Sequence, residues 1–179
     1  MRASTISPTG VNRTFGHDEV IVSKTDLQGK LTYVNDVFLR ISQYDEEELI
    51  GRPHNVIRHP DMPRVVFSLL WKEIAAGREI FAYVKNMASD GAHYWVFAHV
   101  TPTIVDGRIL GYHSNRRSPS ASAIAAISPI YAALLAEEHR QARPTDALKA
   151  SQELLDQMLA DQAMTYDQFV WSLTKEDGR

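Results

Sequence analysis

The chain has 179 residues, 44% of them hydrophobic and 23% charged, enough for one ordinary core with a helical extension. Nineteen basic residues against 22 acidic ones leave a net charge of −3, which gives no bulk electrostatic case for a nucleic-acid partner. The absence of cysteine excludes disulfides, thiolate zinc sites, iron–sulfur clusters and a cysteine nucleophile, and no stretch is read as reaching the roughly 20 apolar residues that span a bilayer.

Residues 1–16 are polar, lack an apolar signal-peptide region, and read as a flexible arm of a cytoplasmic protein. Val20–Ser23 is a short β-branched run, Thr25–Lys30 has turn chemistry, and Leu31–Val34 alternates like a second strand, so the three predict a hairpin. Asn35-Asp36 can cap a helix carrying Val37, Phe38 and Ile41. A further helical turn, Asp45–Leu49, has its acids at the N-terminal end, and Gly51-Arg52-Pro53 breaks it.

His54–Pro63 holds two prolines, two histidines and an arginine in ten residues, which is not packing material. The run from Arg64 to Ala76 spaces Val66, Phe67, Leu70, Trp71 and Ile74 as a helix, with Gly77 as its stop. Three strands follow, Ile80–Met87, His93–Ile104 and Arg108–Arg116, separated by Ser89-Asp90-Gly91 and Val105–Arg108. Strands on both sides of a helical insertion predict an α+β domain, residues 17–117, with one five-stranded antiparallel sheet and helices on one face. Residues 118–179 read as a C-terminal helical extension: Ile124, Ile127, Tyr131 and Leu134 share one stripe, with a restart or kink at Ser128-Pro129. A second helix is expected after Pro144 and a short third one near Thr165–Trp171.

This order resembles the PAS sensor domain, and within it the sensor domain of bacterial aerotaxis receptors. The resemblance runs over about residues 12–138 and rests on Ser23–Gln28, Asn35-Asp36, Gly51–Asn55, Arg58–Pro63, Trp71, Val84-Lys85-Asn86, Gly91–Trp95 and Ile127–Leu134. It implies a non-covalently bound FAD that reports redox or electron-transport state. The family's light-sensing relatives bond the flavin through a cysteine, and that photochemistry is excluded here by composition. The organisation is similar to that of soluble sensor subunits whose signalling half is a separate polypeptide. The expected partners are therefore a homodimer mate or a chemoreceptor-like protein, with no nucleic acid and no membrane insertion.

Candidate cofactor contacts follow from side-chain chemistry and the resemblance together. Arg58, His59 and Asp61 form the densest cluster: Arg offers a rigid fork for phosphate oxygens and His a switchable donor, although Arg58 and Asp61 could also simply pair with each other. Asn86 can donate and accept side by side, as a flavin edge requires, and alternation puts Val84 and Asn86 on one strand face and Lys85 on the other, solvated or facing phosphate. Trp71 can pack and stack at once. His93, Trp95 and Phe97 share one face, and Tyr94, Val96 and Ala98 the other; the family pattern favours Trp95 towards the pocket. Asn35 can cap its helix and also reach the cofactor. His54 completes the set. Haem is the alternative cofactor, through His54 or His59, and a dimerisation module without chromophore is the alternative function. No metal spacing links His17, His99 and His113, and without a Gly-rich nicotinamide fingerprint no enzyme is expected.

Overall fold

The computed structural model describes residues 6–174. Its five strands are β1 (Ile21–Thr25), β2 (Leu31–Val34), β3 (Ile80–Met87), β4 (His93–Val105) and β5 (Arg108–Arg117). They form one antiparallel sheet in the order β2-β1-β5-β4-β3. The β2–β3 excursion holds α1 (Asp36–Ser42), α2 (Glu46–Leu49), a 3-10 turn (His54–Ile57) and α3 (Arg64–Ala75). These cover the inner face, as the α+β reading requires.

Asn35 explains where α1 starts. Its Oδ1 accepts from the Phe38 N–H (3.0 Å) and the Val22 N–H (3.0 Å), while its Nδ2 donates to the Val20 carbonyl (2.8 Å). One side chain caps a helix and pins it to β1, satisfying donors that would otherwise be orphaned at the helix end.

The outer face is aromatic rather than polar. Trp95 and Phe97 of β4 and Phe81 and Tyr83 of β3 lie on it in register (Lys85↔Trp95, Tyr83↔Phe97). The C-terminal extension forms α4 (Ala121–His139), α5 (Pro144–Asp161) and α6 (Tyr166–Ser172); α4 and α6 lie on this face, and α5 packs against α4 and α3. Tyr131 of α4 stacks on Trp95 and donates its hydroxyl to the Tyr83 carbonyl at 2.7 Å. Trp171 of α6 packs on Phe81 and Phe97. The extension therefore folds back onto the sheet. Ser120 caps α4, which runs through Pro129 without a restart.

By length and composition α4 could cross a membrane (19 residues, hydropathy 1.2), which corrects the reading that no such stretch exists. Its buried residues Ala123, Ile127, Tyr131, Leu134 and Glu138 are instead spent on packing against the domain.

The expected flexible arm also differs. Residues 1–5 of it, and 175–179 of the extension, lie outside the described residues. Residues 6–16 dock along the start of β4: the Thr9 N–H donates to the Gly91 carbonyl, and Val11 and Arg13 exchange backbone bonds with His93. Arg13 pairs with Asp90 (2.5 Å) and donates to the Ile41 carbonyl (3.0 Å), and Phe15 is buried. Gly91, at φ +83°, is required here, because a Cβ would lie 2.3 Å from the Ser7 carbonyl oxygen. A polar composition does not report backbone hydrogen bonds, so the sequence concealed this docking.

Candidate functional site

Between α3 and the inner face of the sheet lies a cavity of about 380 Å³, within the usual range for small-molecule sites. Strand alternation builds one wall: Val84 and Asn86 from β3, Ala98 and Val100 from β4, and Tyr112, Ser114 and Arg116 from β5 all project to the same face. The helical stripe Phe67, Leu70, Trp71 and Ile74 of α3 builds the other. Ser23 of β1 and His54, Ile57 and Arg58 from the 3-10 segment close the ends.

Trp71 is 40% exposed and meets Tyr112 edge-on at 5.5 Å. The β1–β2 turn lies directly on it. Gly29, at φ +76°, would place a Cβ 2.7 Å from the indole Cη2, so only glycine lets this turn approach the tryptophan.

A buried polar cluster lines the same cavity. The Arg116 side chain donates from one terminal nitrogen to Ser23 Oγ (2.6 Å) and His54 Nε2 (2.5 Å). A guanidinium can only donate, so Nε2 is an acceptor and the imidazole is neutral, with its proton on Nδ1. Burial, reinforced by the Arg116 charge, lowers the His54 pKa to about 3. Burial likewise lowers Arg116 to about 10, which leaves it protonated at neutral pH. Arg116 Nη1 and Ser114 Oγ are buried with no hydrogen-bond partner among the described residues.

Four of the nine sequence candidates line the cavity: His54, Arg58, Trp71 and Asn86. Arg58 and Asn86 are bridged through their backbones, which lays the 58–62 segment along the edge of β3. Arg58 donates to the Met62 carbonyl (2.8 Å) and its guanidinium sits 4.5 Å from the centre of the Phe67 ring. It does not pair with Asp61.

The other five lie elsewhere. Asp61 forms an ion pair with Lys85 (2.7 Å) on the outer side of that edge, so neither reaches the cavity. His59 is buried behind it, edge-on to His93, and its Nδ1 accepts from the Asp61 N–H at 3.1 Å. Burial first, then the Lys85 charge, lowers its pKa to about 4. Trp95 faces α4 instead of the pocket, whereas Tyr94 points inward and is fully buried. Asn35 spends its amide on α1 and β1. Neither histidine offered for haem presents a free nitrogen to the cavity, since His54 Nε2 is engaged by Arg116 and His59 lies outside.

Sequence reasoning missed Ser23, Tyr112, Ser114 and Arg116. The signal was available: Tyr112, Ser114 and Arg116 alternate on the last strand, in phase with one inner face.

An antiparallel five-stranded sheet wrapped by short helices around a ligand-sized cavity defines a class of sensor domain. Residues 31–116, just under half of the chain, match the PAS fold family model, and the domain has the PAS fold.

The particular relatives narrow the type. The chain is 41% identical over 126 residues to the aerotaxis receptor of Escherichia coli (strain K12), covering 70% of this chain and 25% of that one. It is 26% identical over 104 residues to a nitrogen fixation regulatory protein of Klebsiella pneumoniae, covering 58% and 21%. The chain thus spans a quarter or less of the curated relatives it matches. Among solved structures, a light-oxygen-voltage domain studied with a flavin analogue superposes with a TM-score of 0.54 at 18% identity, over 68% of this chain and 87% of that one. The light-state Aureochrome1 LOV photoreceptor gives 0.51 at 21%, over 70% and 93%. These two likenesses concern the fold.

Proposed function

We propose that the chain is a sensor that binds FAD non-covalently and relays the flavin's redox state to a chemotaxis-type signalling partner. The observation that carries this reading is the cavity itself, apolar along Leu70, Ile74, Val84 and Val100 and polar at Asn86, Ser114 and Arg116. Two of its buried polar atoms, Ser114 Oγ and Arg116 Nη1, lack a partner in the described protein, and unpaired buried donors are rare in native folds. A flat ring with an apolar half and a donor–acceptor edge matches that division. A flavin, when bound, supplies reversible electron uptake. FAD is the flavin that the aerotaxis-receptor likeness supports, and the solved light-oxygen-voltage relative names a flavin analogue.

In this reading Asn86 holds the ring edge, Trp71 covers the opening, and Arg58 stands at the rim as the phosphate-facing cation. With no cysteine in the chain, no cysteinyl–flavin adduct forms. The sheet carrying Asn86 is tied to α4 through the Tyr131 hydroxyl on the Tyr83 carbonyl. That route would carry a change at the ring to residues 118–179, which serve as the output segment after the sensor domain at 17–117. The partner is a second copy or a separate signalling protein, the setting is cytoplasmic, and no catalysis is proposed.

The absorption spectrum of the purified protein tests this. A flavin spectrum that bleaches with dithionite and returns in air is expected. A colourless protein that also fails to take up FAD would overturn it and leave a dimerisation module as the reading.

A further inference from the structure

Arg116 carries a charge that nothing in the described protein answers. Its side chain is 3% exposed and lines the cavity. Its two hydrogen-bond partners, the Ser23 hydroxyl and the His54 imidazole, are both neutral. No Asp or Glu among the described residues forms an ion pair with it. The Phe38 ring, 5.4 Å from the guanidinium, adds a weak cation–π contact. A buried cation is costly unless it is paired and fully hydrogen-bonded, and here Nη1 is left over.

A purely structural arginine, stapling β1, β5 and the 3-10 turn, would use both ends of its fork. Here one end is used and the other is spare. The neighbouring Ser114 Oγ, on the same cavity wall, is also buried without a partner among the described residues. Two donor-capable groups on one wall of one cavity describe a receptor for an electron-rich edge. Neutral His54 supports this, because its acceptor nitrogen fixes the guanidinium without cancelling its charge.

We propose that Arg116 receives the electron-rich pyrimidine edge of the bound flavin and raises its reduction potential by stabilising the negative charge that reduction places there. This deepens the flavin reading and rests on it. The oxidised ring takes up two electrons from an external reductant (dithionite in the test) and one proton from water. The reduced ring then carries one net negative charge, spread over N1 and the adjacent carbonyl. No bond to the protein forms or breaks, and Arg116 keeps its protons. A fixed cation beside that position binds the reduced form more tightly than the oxidised one, and this preference is a shift in potential.

The test is a spectroscopic redox titration of the FAD-loaded chain against a reference dye. Arg116→Met, which removes the charge at similar length, is expected to cut the preference for reduced over oxidised FAD at least tenfold, a drop of about 30 mV for a two-electron couple. Arg116→Lys, which keeps the charge, is expected to retain most of the wild-type potential. Equal potentials in wild type and Arg116→Met overturn the assignment while leaving flavin binding intact. A wild-type chain that takes up no FAD overturns the flavin reading itself. If Arg116→Met does not fold, the wild type decides: a bound potential at least 30 mV above that of free FAD supports the role, and one at or below it refutes it.

Discussion

Glu138 joins the C-terminal extension to the sensor domain, and replacing it should be felt throughout the fold. Its carboxylate is 5% exposed, and one oxygen accepts from the Arg64 N–H (2.7 Å), the Val65 N–H (3.2 Å) and the Ser151 hydroxyl (3.1 Å). The first two are orphan donors at the start of α3, where Pro63 offers no side-chain cap. A glutamate from α4 thus caps a helix 74 residues earlier in the chain, and its charge suits that helix end. Glu138→Ala leaves the Arg64 and Val65 amides at the start of α3 without their acceptor, while the Ser151 hydroxyl keeps the Leu148 carbonyl (3.2 Å). At about 1.5–3 kcal/mol per hydrogen bond to a charged group, with water recovering part of the loss, the expected destabilisation is about 3–5 kcal/mol. Glu138→Gln keeps the shape and an acceptor, and should cost about half of that. Urea unfolding followed by far-ultraviolet circular dichroism measures both. Since domains of this size are stable by about 5–15 kcal/mol, the alanine variant should shift its midpoint strongly. A loss below about 1 kcal/mol would refute the cap as the link between the extension and α3.

Acid should destabilise the protein well before ordinary carboxylates titrate. His54 and His59 are held at about 3 and about 4 in the fold, chiefly by burial, below the ordinary 6.5 of an unfolded chain. Below pH 6.5 the unfolded state therefore takes up protons that the fold refuses; the stabilisation is complete above that pH and is lost on acidification at about 1.4 kcal/mol per pH unit per imidazole. Urea midpoints at pH 7 and pH 5 check this, and equal stabilities would contradict it. At the candidate site, Asn86→Ala should weaken FAD binding by about tenfold, the value of one hydrogen bond. Trp95→Ala should cost about 2 kcal/mol of stability, through lost packing on Tyr131, yet leave FAD affinity within about twofold. A fluorescence titration in which Trp95→Ala binds more weakly than Asn86→Ala would reverse the two faces.

The fold was legible because its periodicities are clean. The β1–β2 hairpin, the Asn35 cap and the α3 stripe each announce themselves within a few residues. β4 resists the same treatment. His93, Tyr94, Trp95, Val96 and Phe97 are apolar or aromatic on both faces, since the helical insertion buries one and the C-terminal helices the other. Alternation then fixes which residues share a face without saying which face holds the cavity. The site was half legible for a related reason. Arg58 and Asn86 stand in unusual local sequence, and the backbone bridge between them brings both to the cavity. Asp61 and Lys85 belong to the same local cluster but satisfy each other. Arg116 alternates in phase with Tyr112 and Ser114 on β5, and the sheet register, Ser23↔Ser114 and Ala98↔Arg116, turns that face inward.

Titrating apoprotein with FAD in wild type and in Ala98→Phe decides whether the cavity between α3 and the sheet holds a flavin. Ala98 is 3% exposed and lines the cavity wall, so a phenyl ring there occupies ligand space at a cost to folding of about 1–3 kcal/mol. One FAD bound per wild-type chain, with its fluorescence quenched, is expected, and little or no uptake by an Ala98→Phe variant whose circular dichroism is unchanged. Failure of the wild type to bind, or undiminished binding by the folded variant, would contradict a flavin in that cavity.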